Sequence, residues 1–393
     1  MATTYDIWVS CPPGLETMVA AEMKALGVTA KGIEPGGLGA RVDVRTLYAL
    51  NLHLSVASRV SVRIGQFHAS EFWELEKRAE RLAWHAWLPK GSTIGFRVTS
   101  RKSKLYHNDA IAERLGALIS ARVPGVAVVE SGEGEEEEAG AAHAKAIAAQ
   151  LFLVRLVNDE VTISVDSSAE LLYRRGWRQE TAKAPLRETL AAAMLTASGW
   201  DGTTPLHDPF CGAGTIVIEA ARRLRKIPAG WDRSFAFERW PTFDAATWSA
   251  VRAEAEGGMV AAPKISLLGS DRDAGAIRAA AANARRAGVA KEVKFAEADI
   301  RDLPPAAGTH IVTNPPYGVR VGEGTDMSPL YGALGRLATA PGTSVTFLSP
   351  DHELTKATRL TCRAAWRTTN GGIPIECMTA GAPPLPKGEG AGG

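Results

Sequence analysis

The segment Thr309-His310-Ile311-Val312-Thr313-Asn314-Pro315-Pro316-Tyr317-Gly318 decides the predicted architecture of this chain. It begins with a short apolar run rich in β-branched side chains, which is typical of a buried strand. Two consecutive prolines must end that strand, because proline has no backbone N–H to donate to a neighbouring strand. In an open α/β sheet, ligands bind outside the carboxyl ends of the strands. We therefore expect the residues from Asn314 to Tyr317 to face a ligand crevice.

Three of these residues suit a planar heterocycle that carries an exocyclic amine. Asn314 offers an amide oxygen, Pro315 a carbonyl of fixed direction, and Tyr317 an aromatic face with a hydroxyl. Two acceptors beside a stacking surface match the edge of guanine or adenine. The same residues could equally form a proline-rich turn that binds nothing, so the interpretation depends on a second site upstream.

The second site is the segment Asp208-Pro209-Phe210-Cys211-Gly212-Ala213-Gly214-Thr215, which joins a strand to a helix. Glycine lets the backbone approach a ligand closely, and the N-terminus of a helix presents free N–H groups. Val217 stands where a dinucleotide fingerprint needs glycine or alanine, and no Lys-Ser/Thr pair follows to make a phosphate loop. Asp208 disfavours a pyrophosphate and favours a ligand with positive charge, such as the amino group and sulfonium of S-adenosylmethionine.

Further acidic residues follow the next two predicted strands. Asp271 follows the strand at 264–269, where its carboxylate can accept hydrogen bonds from both ribose hydroxyls. Asp299 follows the strand at 292–296, where it can accept from an adenine amino group or cap a helix. The long insertion 227–262 is rich in aromatic residues, which we expect to form a small core packed on the sheet rather than a platform for bases.

The N-terminal half has a different pattern of elements. Residues 1–67 alternate strands and helices in the order β-α-β-α-β, which indicates a small α+β unit of ferredoxin type. A second α+β unit is expected at 68–170, interrupted by a solvated acidic insertion at 130–149. Candidate phosphate contacts, each of which could instead be merely solvated, are Arg97, Arg101, Lys102, Lys104, His107, Arg174, Arg175 and Arg178.

Composition limits the possible classes of protein. The formal net charge of +2 includes five glutamates at 133–138, so the rest of the 393-residue chain carries +7, which permits a nucleic-acid partner. The four cysteines are scattered and no zinc spacing is present, so we expect no structural metal. No leader and no membrane-spanning run is found in the sequence, and we expect a cytoplasmic protein.

The motifs together resemble those of class I S-adenosylmethionine-dependent RNA methyltransferases that carry an N-terminal THUMP domain. The resemblance is carried by 208–215, 269–273, 283–285 and 314–318, and it extends to 96–116 and 166–200. It is strongest to the guanine-N2 methyltransferase half of bacterial large-subunit ribosomal RNA methyltransferases. It implies a ferredoxin-like domain at 1–67, a THUMP domain at 68–170, a linker and leading helix at 171–200, a Rossmann-like domain at 201–380, and a disordered tail at 381–393. The Rossmann-like domain is expected to hold a seven-stranded mixed sheet whose last strand is antiparallel.

The resemblance also implies a reaction and its residues. The expected reaction is methyl transfer from S-adenosylmethionine to the exocyclic N2 amine of a guanosine in 23S ribosomal RNA, by a monomer that binds structured RNA. Catalysis is assigned to Asn314, Pro315 and Tyr317. Cofactor binding is assigned to Asp208, Pro209, Gly212, Gly214, Thr215, Asp271, Asp299 and Asn314. Three alternatives stay open: a transfer RNA guanine-N2 methyltransferase, a DNA adenine-N6 methyltransferase, and a non-catalytic RNA-binding assembly factor.

Overall fold

The computed structural model describes residues 4–129, 149–179, 186–317 and 326–381. The predicted acidic insertion and C-terminal tail lie outside the described residues, apart from Ala149 and Gly381 at their borders. Within those four ranges, no helix combines the length and the apolar character needed to cross a membrane.

The N-terminal half forms one eight-stranded sheet with helices packed against it. Its strands are β1 (Thr4–Ser10), β2 (Lys31–Glu34), β3 (Gly37–Asp43), β4 (Arg59–His68), β5 (Thr93–Arg101), β6 (Ala127–Val128), β7 (Gln150–Val157) and β8 (Glu160–Asp166). Its helices are α1 (Glu16–Ala25), α2 (Val44–His53), α3 (Phe72–Ala79) and α4 (Asn108–Arg122). The strand order is β2-β3-β1-β4-β8-β7-β5-β6, so the pairing of β4 with β8 joins the two expected α+β units into one sheet. A buried ion pair between Arg59 and Asp166 fastens these two strands.

The C-terminal half holds a second sheet of seven strands. They are β9 (Leu206–Asp208), β10 (Leu267–Asp271), β11 (Val293–Glu297), β12 (His310–Thr313), β13 (Ser344–Ser349), β14 (Arg363–Asn370) and β15 (Ile373–Ala380). Its helices are α5 (Glu188–Ala197), α6 (Thr215–Leu224), α7 (Ala245–Gly257), α8 (Ala274–Arg286), α9 (Ser328–Leu337) and α10 (His352–Ala357). The order is β11-β10-β9-β12-β13-β15-β14, and β15 runs antiparallel to both of its neighbours. The predicted fold class, with a seven-stranded mixed sheet and an antiparallel last strand, is confirmed.

The strand order creates a crevice at one edge of this sheet. From β9, the parallel strands continue to β10 and β11 on one side and to β12 and β13 on the other. The connecting helices therefore diverge at β9 and β12, and such a switch point leaves an opening outside the carboxyl ends of the strands. Aspartate side chains fix the start of the helices α7 and α8, because Asp244 and Asp273 each accept a hydrogen bond from a backbone N–H of the first turn.

The aromatic insertion lies at the junction of the two halves. Phe235, Phe237 and Trp248 are buried, as predicted, but Phe237 and Trp248 pack against Tyr48 of α2 in the N-terminal half, and Phe235 packs against Trp248. The rings of Tyr48 and Phe237 stack with centroids 4.2 Å apart. The insertion also contains α7, which was not predicted because alanine and glutamate give it only a weak apolar pattern.

One predicted helix is shorter than expected. Within the second α+β unit, the apolar pattern of 72–87 predicts a single helix, whereas the structure has α3 followed by a 3-10 turn at Trp84–Ala86. The reason is local: the indole Nε1 of buried Trp84 donates to the carbonyl of Ala79, at the end of α3. The carbonyl of Ala79 thus has a hydrogen-bond donor without a further turn of α-helix.

Candidate active site

A cavity of about 890 Å³ opens at the carboxyl ends of β9, β10, β11 and β12. Its wall contains nearly all of the predicted site residues, namely Asp208, Pro209, Gly212, Thr215, Asp271, Asp299, Asn314, Pro315 and Tyr317. The glycine loop after β9 and the proline-rich segment after β12 thus line the same cavity. Their positions after neighbouring parallel strands had led us to expect this. Linker residues 173–176 and 178–179 and the start of α5 line the same cavity.

The glycine loop has a conformation that its glycines make possible. Gly214 has φ of +85° and forms the N-cap of α6, a left-handed conformation that a residue with a Cβ rarely adopts. A Cβ at Gly214 would also lie 3.0 Å from the Cβ of Ala280. Gly214 is not among the residues lining the cavity, so its contribution is to the shape of the loop.

Asp271 connects the loop to the neighbouring strand. Its Oδ2 accepts a hydrogen bond from the backbone N–H of Gly212 at 3.0 Å, and its Oδ1 accepts from the N–H of Asp273 at 3.0 Å. These two bonds hold the carboxylate at the tip of β10. Each oxygen keeps a second lone pair, so the group can still accept from a diol in the cavity.

Asp208, the acidic residue at the start of the glycine loop, is buried, with 1% of its surface exposed. Its Oδ1 accepts hydrogen bonds from Thr313 Oγ1 at 2.6 Å and from the N–H of Phe210 at 3.1 Å. Burial nevertheless raises the pKa of Asp208 to about 7, and the charge of Asp271 adds to this rise. A ligand with positive charge would favour the ionised form of this carboxyl.

The side-chain oxygen of Asn314 is placed to accept a hydrogen bond from a ligand. Its Oδ1 is buried and accepts no hydrogen bond from any described residue. Leaving a buried acceptor without a partner costs roughly 1–3 kcal/mol, so such groups tend to occur where function requires them. Beside it, the hydroxyl of half-buried Tyr317 accepts a hydrogen bond from Asn370 Nδ2 at 3.0 Å, which fixes the ring from β14.

Asp299 is engaged by a neighbour in sequence. Arg301 donates from Nε to Oδ1 at 2.9 Å and from Nη2 to Oδ2 at 2.7 Å. These bonds lower the pKa of Asp299 to about 2, so the carboxylate stays charged. Its predicted role toward an adenine amino group stays a prediction, and Arg301 would share the carboxylate with any ligand.

The predicted phosphate contacts divide into exposed and buried residues. Arg97, Arg101, Lys102, Lys104 and His107 are exposed on the N-terminal half, at β5 and the loop before α4. Arg174 is partly exposed and pairs with Glu170 at 3.5 Å.

The prediction for Arg175 is wrong, because this side chain is 1% exposed. Its guanidinium donates to the carbonyls of Ser55 and Leu172 and pairs with Glu219 of α6 at 3.4 Å. It therefore connects the two halves and cannot reach a phosphate on the surface. Arg178 is also turned inward: it pairs with Glu188 at 3.0 Å and donates to the carbonyl of Leu186 at 2.7 Å.

Several residues of the site were not predicted. Glu188 lines the cavity and is 1% exposed, and Asn370 reaches Tyr317 from a distant strand. Asn283 on α8 donates from Nδ2 to the carbonyl of Ala213 at 3.1 Å and so supports the glycine loop. Glu188 and Asn283 lie in segments that carry the family resemblance, which is the one signal that could have found them; Asn370 has no such signal.

Comparison with known proteins agrees with this geometry. Residues 175–378 match a family described as the RMKL-like methyltransferase domain, and residues 6–61 match the RlmL ferredoxin-like domain. The chain is 32% identical to a ribosomal RNA large subunit methyltransferase K/L of Syntrophotalea carbinolica, over its whole length and 57% of that relative. It is 30% identical to YpsC of Bacillus subtilis (strain 168), which carries the provisional name of an RNA methyltransferase, over 84% of each chain. The chain thus spans little more than half the length of the K/L relatives it matches.

Two solved structures resemble the whole described fold. The structure of SMU.472, provisionally named a methyltransferase and complexed with SAH, has a TM-score of 0.82 and 28% identity over 97% of this chain and 98% of that chain. A protein from Listeria monocytogenes str. 4b F2365, named by prediction as an N6-adenine-specific DNA methylase, has a TM-score of 0.81 and 28% identity over 97% of each chain.

The residues of the cavity fit S-adenosylmethionine, the methyl donor that the sequence motifs predict. Asp271 offers acceptors for a diol, the enclosed Asp208 favours a positive charge, and Asn314, whose Oδ1 accepts no hydrogen bond within the described ranges, lines the same cavity. The chain belongs to the RMKL-like methyltransferase family, and its cofactor is S-adenosylmethionine.

Proposed function

We propose that this protein transfers a methyl group to the exocyclic N2 amine of a guanosine in RNA, with 23S ribosomal RNA as the substrate. The observation that carries the proposal is the buried Oδ1 of Asn314, to which no described residue donates a hydrogen bond, in the wall of the cavity that also contains Asp208 and Asp271. An amine with two N–H groups is the kind of ligand that would satisfy it. The Pro315 carbonyl, next in the chain, is the second acceptor.

The chemistry follows from what these groups do to an aromatic amine. The lone pair of a purine exocyclic nitrogen is delocalised into the ring, which makes the nitrogen a poor nucleophile. Hydrogen bonds from its N–H groups to Asn314 and Pro315 favour a more pyramidal nitrogen and stabilise the positive charge that develops on it. When bound, the cofactor supplies an electrophilic methyl group.

Tyr317 holds the base in place for this reaction. Its ring would stack on the purine, and its hydroxyl is already fixed by Asn370. Positioning of this kind supplies several kcal/mol toward reaching the transition state. The geometry requires no covalent intermediate, and burial raises the pKa of the Cys211 thiol well above its usual value, so this cysteine is a poor nucleophile.

The N-terminal half supports an RNA substrate. The exposed basic residues 97, 101, 102 and 104 lie together with two solvent-facing rings, Tyr106 and His107, whose centroids are 4.2 Å apart. Basic side chains bind phosphates and exposed rings can stack on unpaired bases. Extracting a guanosine from its stack costs roughly a few kcal/mol, which binding by this surface would offset. The choice of ribosomal RNA is supported by the names of the K/L relatives.

The direct test is methyl transfer to nucleic acid from cells that lack this protein. Purified protein and radiolabelled cofactor are incubated separately with ribosomal RNA, transfer RNA and genomic DNA, and the labelled nucleoside is identified by mass spectrometry. We expect N2-methylguanosine in 23S RNA alone. N2-methylguanosine in transfer RNA would mean that transfer RNA is the substrate, with the proposed chemistry unchanged. Absence of label from every RNA would overturn the proposal.

A second candidate, DNA adenine-N6 methylation, is favoured by one observation, the name of the similar Listeria protein. Adenine also carries an exocyclic amine that Asn314 and Pro315 could hold. The same assay separates the two, because this candidate predicts N6-methyl-2′-deoxyadenosine in the DNA arm and no label in RNA.

A further inference from the structure

The cavity wall contains a buried ion pair, between Arg178 and Glu188, that takes no part in the proposed methyl transfer. Glu188, the first residue of α5, has 1% of its side chain exposed, and Arg178 has 11%. Both line the cavity together with Asp208 and Asn314. A carboxylate in the first turn of a helix is favoured by the helix dipole, but that effect is obtained equally well by a carboxylate in solvent.

The pair is incomplete. Glu188 Oε2 lies 3.0 Å from Arg178 Nη2 but, among the described residues, no donor makes a hydrogen bond to it. Arg178 meanwhile uses Nη1 to donate to the Leu186 carbonyl at 2.7 Å. Burial raises the pKa of Glu188 to about 7, against the charges of Arg178 and Arg175, which lower it. A buried carboxylate oxygen that has an ion-pair partner but no hydrogen bond is costly unless a ligand supplies the hydrogen bond.

The methionyl end of the cofactor has the complementary chemistry. It carries an α-ammonium, which is a donor without acceptors, beside an α-carboxylate, which is an acceptor without donors. Three other acids that line the cavity have different positions or partners: Asp271 is placed for the ribose, Asp299 is held by Arg301, and Asp273 caps α8. Asp208 lies at the start of the glycine loop, and its Oδ1 already accepts two hydrogen bonds.

We propose that Arg178 and Glu188 form a receptor for the amino-acid end of the cofactor, with Glu188 accepting from the α-ammonium and Arg178 donating to the α-carboxylate. The inference rests on the cofactor of the proposed function and not on its RNA substrate. It reassigns Arg178 from phosphate binding to cofactor binding, and it adds a residue, Glu188, to the site.

The test measures ligand affinity by calorimetry, with no turnover and no RNA. Three thioether ligands separate the two contacts: S-adenosylhomocysteine has both charges, decarboxylated S-adenosylhomocysteine has the ammonium alone, and 5′-methylthioadenosine has neither. Charge-assisted hydrogen bonds of this kind are worth about tenfold or more in affinity each. Glu188→Gln should weaken the first two ligands by about that factor and leave the third nearly unchanged. Arg178→Gln should weaken S-adenosylhomocysteine and spare both of the others.

Glu292→Gln is the matched control. Glu292 also has a buried Oε2 to which no described residue donates a hydrogen bond, and it pairs with an arginine, Arg225, at 3.4 Å, but it is not among the residues lining the cavity. Its substitution should alter none of the three affinities. If Glu188→Gln weakened all three ligands equally, its role would be structural and the inference would be overturned. Unchanged binding of S-adenosylhomocysteine would overturn it as well but leave the proposed function intact, whereas failure of the unmodified protein to bind that ligand would overturn both.

Discussion

At the scale of single residues, the cavity separates groups that would hold the cofactor from groups that would hold the base. Asp271 supports the glycine loop and lines the cavity, whereas Asn314 lines it with an acceptor that nothing in the described structure satisfies. Asn314→Ala should therefore abolish methyl transfer and leave the affinity for S-adenosylhomocysteine nearly unchanged. Asp271→Ala should weaken that affinity by about tenfold or more, since it removes acceptors for two hydroxyls and for the Gly212 N–H. Calorimetry and a transfer assay on the same preparations would check both, and the opposite pattern would mean that the two sites have been exchanged.

The two buried acids predict a pH dependence. Burial raises the pKa of both Asp208 and Glu188 to about 7, above their usual 3.8 and 4.5. The free fold therefore loses stability as pH rises and these groups ionise, while a positively charged ligand prefers the ionised form. Affinity for S-adenosylhomocysteine should rise about tenfold for each group that a ligand cation contacts between pH 6 and pH 8, as the ionised fraction does. Titration across this range would check it, and a flat profile would show that neither acid contacts a cation.

The sequence could predict which residues at strand ends face the crevice, but it could not predict which side chains and carbonyls surround a given residue. Asp208, Asp271 and Asn314 were expected in one crevice because each follows a parallel strand, and the structure brings them together. Arg175 was expected on the surface because its neighbours in sequence are basic and polar. Its burial depends on Glu219 and the carbonyl of Ser55, which no local pattern connects to it.

At the scale of elements, helix packing around the site depends on glycines without positive φ. A Cβ added to Gly335 of α9 would lie 1.8 Å from the backbone oxygen of Thr358, just after α10. A backbone oxygen cannot rotate away, so Gly335→Ala should force the two helices apart and cost about 1–3 kcal/mol of unfolding free energy. Gly257 at the end of α7 has nothing within 4 Å of such a Cβ, so Gly257→Ala should be neutral or stabilise by up to about 1 kcal/mol. Chemical denaturation of both variants would check this, and equal effects would contradict the packing.

Element types with strong patterns were predictable, whereas short or strongly polar elements were not. The strand before Asn314, for example, contains a short apolar run rich in β-branched side chains. By contrast β2 is exposed along its whole length and exists because it pairs with β3. Its register depends on a partner strand and not on its own side chains, so no periodicity could indicate it.

At the scale of the whole molecule, the aromatic junction fixes the basic half relative to the cavity. Tyr48 is 1% exposed, stacks on Phe237 and accepts a hydrogen bond from the N–H of Asp244 at 3.0 Å. Tyr48→Ala should lower kcat/KM for RNA by between about tenfold and a hundredfold, because a small misplacement of a bound substrate is enough for this. The affinity for S-adenosylhomocysteine should stay nearly unchanged, since the junction lies outside the cavity.

Tyr48→Phe provides the control, because it keeps the ring and removes only the hydroxyl that accepts from Asp244. It should stay near the activity of the unmodified protein. An equal loss of RNA turnover and of cofactor affinity in Tyr48→Ala would indicate general unfolding instead of misplacement.

The joining of the halves was beyond prediction from local patterns. The sequence indicated two successive α+β units in the first half, but the long-range pairing of β4 with β8 makes them one sheet. The aromatic insertion was expected to cover a sheet, and it connects the two halves instead. Both outcomes depend on contacts between residues about a hundred or more positions apart, for which periodicity carries no signal.

A crystal structure of the protein with S-adenosylhomocysteine and a guanosine-containing RNA fragment would test the central claim most directly. We expect the ribose at Asp271 and the guanine ring against Tyr317, with its N2 amine in hydrogen-bonding contact with Asn314 Oδ1 and the Pro315 carbonyl, facing the ligand sulfur. A ligand bound away from Asn314, or a base held through another edge, would contradict it.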